Sequence, residues 1–142
     1  EGAVLVVYGG GSIKRNGAYD DVMAALAGTG RKIIELPGVT PNPRLDKALE
    51  GVRLVKEHGV GLILAVGGGS VIDCAKFISL GSGIGDDEDL WDDYIETGKP
   101  APEGLIPVAW CSPPRQRARK WEMRPCSPIG NATASSAIRR SR

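Results

Sequence analysis

Residues 62–76 read LILAVGGGSVIDCAK, and this stretch decides the fold. Its first five residues are all apolar, which is typical of a strand buried on both faces of a parallel sheet. Three glycines end the strand, and apolar residues then recur at helical spacing through residues 71–79. Ser70 is predicted to be the N-cap of this helix, with Asp73 in the first turn. The stretch therefore predicts a strand, a glycine turn and a helix.

Such a unit aims backbone N–H groups and the positive end of a helix at one point, where a phosphate or pyrophosphate binds. Glycine lets the main chain approach a phosphate within hydrogen-bonding distance, which makes residues 67–70 candidate ligands. The alternative is a tight turn that needs glycine for steric reasons alone. The pattern is not the dinucleotide fingerprint G-x-G-x-x-G, because Ile72 occupies its third glycine position.

The tetrapeptide GGGS occurs a second time. Residues 4–8 (VLVVY) form another buried-strand pattern, and GGGS follows at residues 9–12. Parallel strands of one sheet end at the same edge, where open α/β sheets bind ligands. Both glycine turns are therefore predicted to meet at one ligand-binding edge.

The remaining pattern alternates strands and helices. A fourth strand is expected to begin in residues 105–108, and short connections predict right-handed crossovers. We therefore predict an α/β fold, a Rossmann-like parallel sheet flanked by helices. Before the deciding stretch, the chain predicts helices at residues 19–27 and 45–58 and a strand at residues 33–36.

Length and composition fit one domain with a hydrophobic core, since the chain has 142 residues of which 42% are hydrophobic. The longest apolar runs have strand length, so we expect no signal peptide and no membrane partner. The three cysteines are irregularly spaced, which predicts neither a disulfide framework nor a zinc site. A cytoplasmic location is the default expectation.

Charge divides the chain near residue 108. Residues 1–108 contain 10 Lys and Arg against 16 Asp and Glu, whereas residues 109–142 contain 8 against 1. We predict a nucleotide-binding α/β domain at 1–108 and an irregular or disordered basic tail at 109–142. A basic arm for nucleic acid is one interpretation of the tail.

Codon arithmetic favours a different interpretation of the tail. When residues 114–124 are read back into codons and every triplet starts one nucleotide earlier, the degenerate junctions permit the sequence PATGSEMGNA. We therefore predict that the tail is an out-of-frame translation, and we expect no nucleic-acid partner. The coding DNA decides between the two interpretations.

Two other features have structural explanations that we prefer. Residues 86–95 are rich in carboxylates, which could bind a cation, but their apolar residues mark one face of a short, solvated helix. His58 ends a predicted helix, where the dipole favours it, and we do not take it for a ligand.

Residues 2–108 resemble the iron-dependent (group III) alcohol dehydrogenases, particularly the branch of NADPH-using butanol dehydrogenases and aldehyde reductases. The resemblance is carried by VYGGGSIKRNG at residues 7–17, GVTPNP at residues 38–43 and AVGGGSVID at residues 65–73. A glycerol dehydrogenase or dehydroquinate synthase relative is an alternative, against which the first motif argues. A stand-alone nucleotide-binding module is the alternative from another functional class.

The resemblance implies roles for seven residues in binding a nicotinamide cofactor. Asp73 would lie beside the nicotinamide half, although an acid in the first turn of a helix is its alternative role. The pyrophosphate would be bound by Gly68, Gly69 and Ser70, and the adenosine ribose would be surrounded by Gly10, Ser12 and Asn42.

NADP(H) is favoured over NAD(H) as the cofactor. A carboxylate just after the first strand would bind the ribose hydroxyls of NAD and repel a 2′-phosphate. This chain has only glycine and serine there, with Lys14 and Arg15 nearby.

The family pattern breaks after residue 108. In the family, a T-G-S-E segment and a helical domain follow, and that domain holds a divalent metal (Fe or Zn) through an aspartate and three histidines. This chain has one histidine in all. We expect this chain to be a truncated cofactor domain of an enzyme that acts on small alcohols or aldehydes, and we expect the domain to be inactive alone. We also expect that residues are missing upstream of residue 1. The domain is expected to self-associate through exposed apolar surface.

Overall fold

The computed structural model of the chain describes residues 2–10, 12–15, 17–40, 45–84, 104–112 and 122–125. Helices lie between the successive strands through the first four strands, as the sequence predicts, but the first connection contains two helices and not one. In chain order the elements are β1 (Ala3–Tyr8), α1 (Ser12–Arg15), α2 (Ala18–Ala27), β2 (Ile33–Leu36), α3 (Leu45–His58), β3 (Val60–Val66), α4 (Gly69–Ser82), β4 (Val108–Ser112) and β5 (Glu122–Pro125).

The five strands form one sheet in the order β2-β1-β3-β4-β5. The first four strands pair in parallel, and β5 pairs with β4 in the antiparallel direction. The predicted Rossmann-like parallel sheet with flanking helices is therefore confirmed.

Two hydrophobic clusters cover the two faces of this sheet, because successive side chains of a strand point to opposite sides. Leu5 and Val7 of β1 pack in one cluster with residues of α3 and α4, among them Phe77 and Ile78. On the other face, Val4, Val6 and Tyr8 pack with Ile13, Ala18 and Leu26 of α1 and α2. The helices therefore lie on both sides of the sheet, as the fully apolar strands require.

The fourth strand begins at the last of the four residues predicted for its start. It begins at Val108, opposite Ile63, and not at residue 105. Pro107 lacks an N–H donor and cannot complete the ladder, although its carbonyl accepts a hydrogen bond of 3.0 Å from the Ile63 N–H. The carbonyl of Ile106 is used elsewhere, accepting a bond of 2.6 Å from the buried Ser79 hydroxyl.

The predicted boundary at residue 108 falls on the first residue of β4. Residues 109–112 and 122–125 are strand, so in these two segments the structure differs from the irregular tail that we expected. Strand β4 pairs with β3, and β5 pairs with β4. These pairings give the backbone of both segments hydrogen-bond partners that the sequence pattern does not reveal. The acidic residues 86–95 lie outside the described residues, as does the helix predicted for them.

No helix in the part of the chain that the structure describes is both long and apolar enough to cross a membrane.

Candidate functional site

The two glycine turns lie side by side at one edge of the sheet. Strands β1 and β3 are parallel neighbours, and their last residues, Tyr8 and Val66, are register partners. Gly9 and Gly67 are the next residues of the two strands, so both turns begin at the same level at the carboxyl edge. The predicted meeting of the two turns is confirmed.

Val71, in the first turn of α4, links the two turns. A Cβ atom placed on Gly67 would lie 3.1 Å from the Cγ2 methyl of Val71, and one placed on Gly9 would lie 3.9 Å from that methyl. Val71 is buried. The sequence predicts Val71 only as an apolar helix residue, yet its methyl lies where a side chain on either turn would meet it.

The chain changes direction sharply at Gly67, directly after β3. Gly67 has a φ of +143°, which residues with a side chain rarely adopt. Its N–H donates a 3.1 Å hydrogen bond to the carbonyl of Cys111, which ties the turn to β4. The carbonyl of Gly68 then accepts bonds from the N–H groups of Val71 and Ile72, at 3.1 and 3.2 Å. Helix α4 therefore starts directly after Gly68.

Substitution of Gly67 by alanine is expected to destabilise the fold by about 1–3 kcal/mol, because the backbone is strained for any side chain and the added methyl crowds Val71. Denaturant unfolding measures the effect. Gly69→Ala is the matched control, since its Cβ meets no described atom within 4 Å and residue 69 lies in helical backbone. Equal stability of the two variants would contradict the expectation.

The prediction that Ser70 caps α4 is wrong. Gly68 is the N-cap, in extended backbone, and makes no side-chain capping bond. Helix α4 begins at Gly69, one residue before Ser70, because the glycine turn closes earlier than the sequence pattern indicates. Asp73 is consequently the fifth residue of α4 and not in its first turn, which holds no acid. It is half-buried.

The cradle above the second turn is open. Among the described residues, no atom lies within 4 Å of a Cβ placed on Gly68 or Gly69. The N–H groups of Gly68, Gly69 and Ser70 precede the first intrahelical bond of α4, and no residue that the structure describes accepts a hydrogen bond from them. The turn therefore offers N–H donors, free space and the positive end of a 14-residue helix at one point.

The first turn is tied to the segment that follows β2. The Gly38 N–H donates to the carbonyl of Gly9 at 3.2 Å, and the Val39 N–H donates to that of Tyr8 at 3.1 Å. Gly10 is exposed, and a Cβ atom there would meet no atom of the described residues within 4 Å. Ser12 begins α1 directly after this turn. Asn42 and the Ser12 side chain lie outside the described residues.

A polar cluster that the sequence does not reveal lies beside the first turn; we call Tyr8, Lys14, Tyr19 and Glu35 the tyrosine cluster. The Glu35 carboxylate accepts hydrogen bonds from the hydroxyls of Tyr8 and Tyr19, at 3.0 and 2.6 Å. The two rings meet edge to face, with centroids 5.6 Å apart. The Lys14 ammonium lies 4.9 Å from the Tyr19 ring centroid and 5.9 Å from that of Tyr8.

One signal could have located the tyrosine cluster. Glu35 is the only charged residue of the short strand IIEL, and it is paired in register with Val6, two residues before Tyr8. Its side chain shares a sheet face with that of Tyr8, because residues two apart on a strand point the same way. Sequence alone does not reveal that β2 pairs with β1 in this register.

The tyrosine cluster predicts alkaline destabilisation. Burial, followed by the hydrogen bond to Glu35, raises the pKa of Tyr8 from 10.0 to about 12, and the bond to Glu35 is the main cause that raises the pKa of Tyr19. The folded state therefore retains protons that the unfolded state releases. This stabilisation is complete below about pH 10 and is lost as the pH rises through about 12.

Ultraviolet titration of tyrosinate tests this expectation. Glu35→Gln should lower both tyrosine midpoints, because the negative acceptor is lost, and Tyr8→Phe should remove the higher one. Unchanged midpoints in Glu35→Gln would contradict the role of the carboxylate.

Two cysteines are buried free thiols. Burial raises the pKa of Cys74 to about 11 and also raises the pKa of Cys111. Both are therefore protonated at neutral pH and poor nucleophiles. Among the described residues, no group of three His, Cys, Asp or Glu side chains could hold a metal ion.

The strand order reverses between β1 and β3, since β2 lies on one side of β1 and β3 on the other. In open α/β sheets, ligands bind at such a switch point, outside the carboxyl ends of the strands. Both glycine turns lie there. The fold and this edge thus define the class: a Rossmann-like α/β domain whose two glycine turns share the carboxyl edge of the sheet.

Comparison with known proteins identifies the family. The model of the iron-containing alcohol dehydrogenases matches residues 1–111. The chain belongs to this family, as the sequence motifs predicted.

Relatives of two cofactor types match the chain. A probable NADH-dependent butanol dehydrogenase 2 of Bacillus subtilis is 51% identical over 104 residues, covering 73% of this chain and 26% of the relative. The NADPH-dependent aldehyde reductase YqhD of Escherichia coli is 40% identical over 105 residues, covering 74% of this chain and 26% of the relative. The chain thus spans about a quarter of the length of these relatives.

Solved structures share the fold. The crystal structure of Escherichia coli YqhD has a TM-score of 0.72 at 38% identity, covering 79% of this chain and 28% of that one. The crystal structure of NADH-dependent butanol dehydrogenase A from Thermotoga maritima has a TM-score of 0.66 at 44% identity. This match covers 75% of this chain and 26% of the other.

Proposed function

We propose that this chain binds a nicotinamide adenine dinucleotide at the β1/β3 switch point and serves as the cofactor domain of an alcohol dehydrogenase or aldehyde reductase. One observation carries the proposal: the two GGGS turns follow register partners of neighbouring strands. A dinucleotide has two nucleotide halves joined by a charged linker, so it can use both turns. The names of the relatives, which state NADH or NADPH dependence, support this choice.

The described residues fit a pyrophosphate. The open space at Gly68 and Gly69 admits the phosphate oxygens, and the backbone N–H groups of these residues and Ser70 can donate to them. In this proposal, the exposed Gly10 and the start of α1 at Ser12 receive the adenosine ribose, together with Asn42. Asp73, half-buried in α4, lies toward the nicotinamide half.

Fluorescence titration with NADPH, NADH and ATP tests the proposal. Binding of both dinucleotides in preference to ATP is the expected result. Equal affinity for all three would favour a general nucleotide-binding module, and no binding of any would overturn the proposal.

For the reaction, we propose hydride transfer between C4 of the nicotinamide and the carbonyl carbon of a small aldehyde or the corresponding alcohol. The family's divalent metal, iron or zinc, would polarise the substrate oxygen. The described residues contain no group that fits such a metal, so we assign none of them to it. Their part is to bind and orient the dinucleotide, and we expect no turnover by this chain alone.

We further propose a preference for NADP(H). Residues 9–12 contain no carboxylate that would repel a 2′-phosphate, and Lys14 follows closely. The relatives include enzymes named for either cofactor, so the titration above also measures this preference.

Self-association is a further proposal. The outer edge of β2 ends the sheet, and an edge strand offers unpaired backbone groups to another chain. Leu49 is the exposed large hydrophobic side chain among the described residues. Light scattering over a range of concentrations tests the proposal, and a constant monomer mass would contradict it.

The out-of-frame origin of the tail also remains a proposal. The family match ends at residue 111, shortly after the charge balance changes sign, which supports it. Sequencing the coding DNA tests it, and codons that do not yield PATGSEMGNA in the shifted frame would contradict it.

A further inference from the structure

The tyrosine cluster has no part in the function proposed so far, yet it flanks the first glycine turn. Tyr8 is the last residue of β1, immediately before the turn, and Lys14 lies in α1, immediately after it. Glu35 and Tyr19 join them from β2 and α2. The cluster therefore lies beside the turn proposed to receive the adenosine ribose, on the sheet face covered by α1 and α2.

The positive charge of Lys14 is held in place without being neutralised. Its ammonium lies near the rings of both tyrosines, an arrangement that attracts a cation through the ring quadrupoles. No ion pair among the described residues includes Lys14. The two rings thus position the charge, and Lys14 is exposed, so an anion can approach it.

One oxygen of the Glu35 carboxylate is already engaged in hydrogen bonds within the tyrosine cluster. In dinucleotide-binding folds, an acid in this region, about 20 residues after the first turn, binds the ribose hydroxyls of NAD and would repel a phosphate there. Here one oxygen of the Glu35 carboxylate accepts hydrogen bonds from two phenols. These bonds fix the rings on which Lys14 lies and direct the acid to the tyrosines.

We infer that Lys14 is a specificity-determining residue, which binds the 2′-phosphate of NADPH, and that Tyr19 and Glu35 are its positioning residues. This inference rests on the proposed function. It assigns the preference for NADP(H) to the ammonium group of Lys14 and to Tyr19 and Glu35, which hold that group in place.

Binding of 2′,5′-ADP and 5′-AMP to the 142-residue chain isolates this contact, because the two ligands differ in the 2′-phosphate alone. Lys14→Ala should weaken binding of 2′,5′-ADP and of NADPH by about ten-fold, the loss expected for one charge-assisted contact to phosphate. Affinity for 5′-AMP and NADH should stay the same.

Lys32→Ala is the charge-matched control. Its backbone carbonyl bonds the Val4 N–H at the amino end of the sheet, away from both glycine turns. This variant should leave all four affinities unchanged at moderate salt, whereas an effect of net charge alone would weaken 2′,5′-ADP binding in both lysine variants.

Two substitutions of Tyr19 test whether its ring positions Lys14. Tyr19→Phe keeps the ring beneath Lys14, and Tyr19→Leu removes it. The ratio of 2′,5′-ADP to 5′-AMP affinity should fall more in the leucine variant, whereas a merely structural role would lower both affinities together.

The outcomes separate the two proposals. If the unaltered chain binds none of the four ligands, the proposed function fails and the inference fails with it. If the chain binds them but Lys14→Ala weakens all equally, or none, the inference alone is overturned.

Discussion

Replacement of Gly68 by aspartate is expected to abolish dinucleotide binding while making the fold slightly more stable. Gly68 is the N-cap of α4 in extended backbone, with φ −89°, which any residue adopts, and a Cβ there meets no atom within 4 Å in the part of the chain that the structure describes. Aspartate is a favoured N-cap and complements the helix dipole, so the free energy of unfolding should rise by roughly 0.5–1 kcal/mol.

The same side chain excludes a pyrophosphate. The carboxylate would accept hydrogen bonds from the N–H groups that are proposed to bind the phosphate. It would also place a negative charge within a few ångströms of the phosphate. We expect binding to weaken by about a hundred-fold or more, since like charges at this separation repel by several kcal/mol in a partly screened site. Dinucleotide titration and denaturant unfolding of the same preparation give the two results.

Gly68→Asn is the matched control for this experiment. It has nearly the same shape and also caps helices, but it carries no charge. We expect a smaller loss of affinity, which separates occupation of the space from repulsion. Unchanged NADPH affinity in the aspartate variant would exclude this turn as the phosphate site.

The elements that sequence predicted well are those whose own residues determine them. The helix at residues 45–58 and the strand at residues 33–36 have the predicted bounds, because apolar periodicity and flanking glycine and proline act locally. The meeting of the two turns was also predictable, since strands that are apolar throughout require a parallel sheet with a common carboxyl edge.

The errors arose where neighbours in space decide. Ser70 has the residue type of an N-cap, but closure of the turn around Gly67 places the N-cap at Gly68 and so starts the helix two residues earlier. The start of β4 depends on pairing with Ile63 and on the missing donor of Pro107. The tyrosine cluster joins four elements, and its members have no common sequence motif.

Gly51 is another position that only the packing explains. It lies in the middle of α3, where glycine is unfavourable by about 1 kcal/mol relative to alanine. A Cβ atom there would overlap Ile78 of α4, lying 2.7 Å from its Cγ1 atom, and would lie 3.0 Å from Cδ2 of Leu36. Both neighbours are fully buried. The missing side chain therefore allows α3 to approach α4 and the sheet closely.

Gly51→Val is expected to lower the free energy of unfolding by about 3 kcal/mol or more, because the fully packed core cannot accept three further carbons. Ile78→Ala, which removes three carbons from the facing side chain, should alone cost about 2–5 kcal/mol. The double variant restores the volume, so its loss should be smaller than the sum of the two by at least roughly 1.5 kcal/mol. Denaturant unfolding of the four proteins measures this coupling. Additive losses would mean that residues 51 and 78 do not compete for the same space.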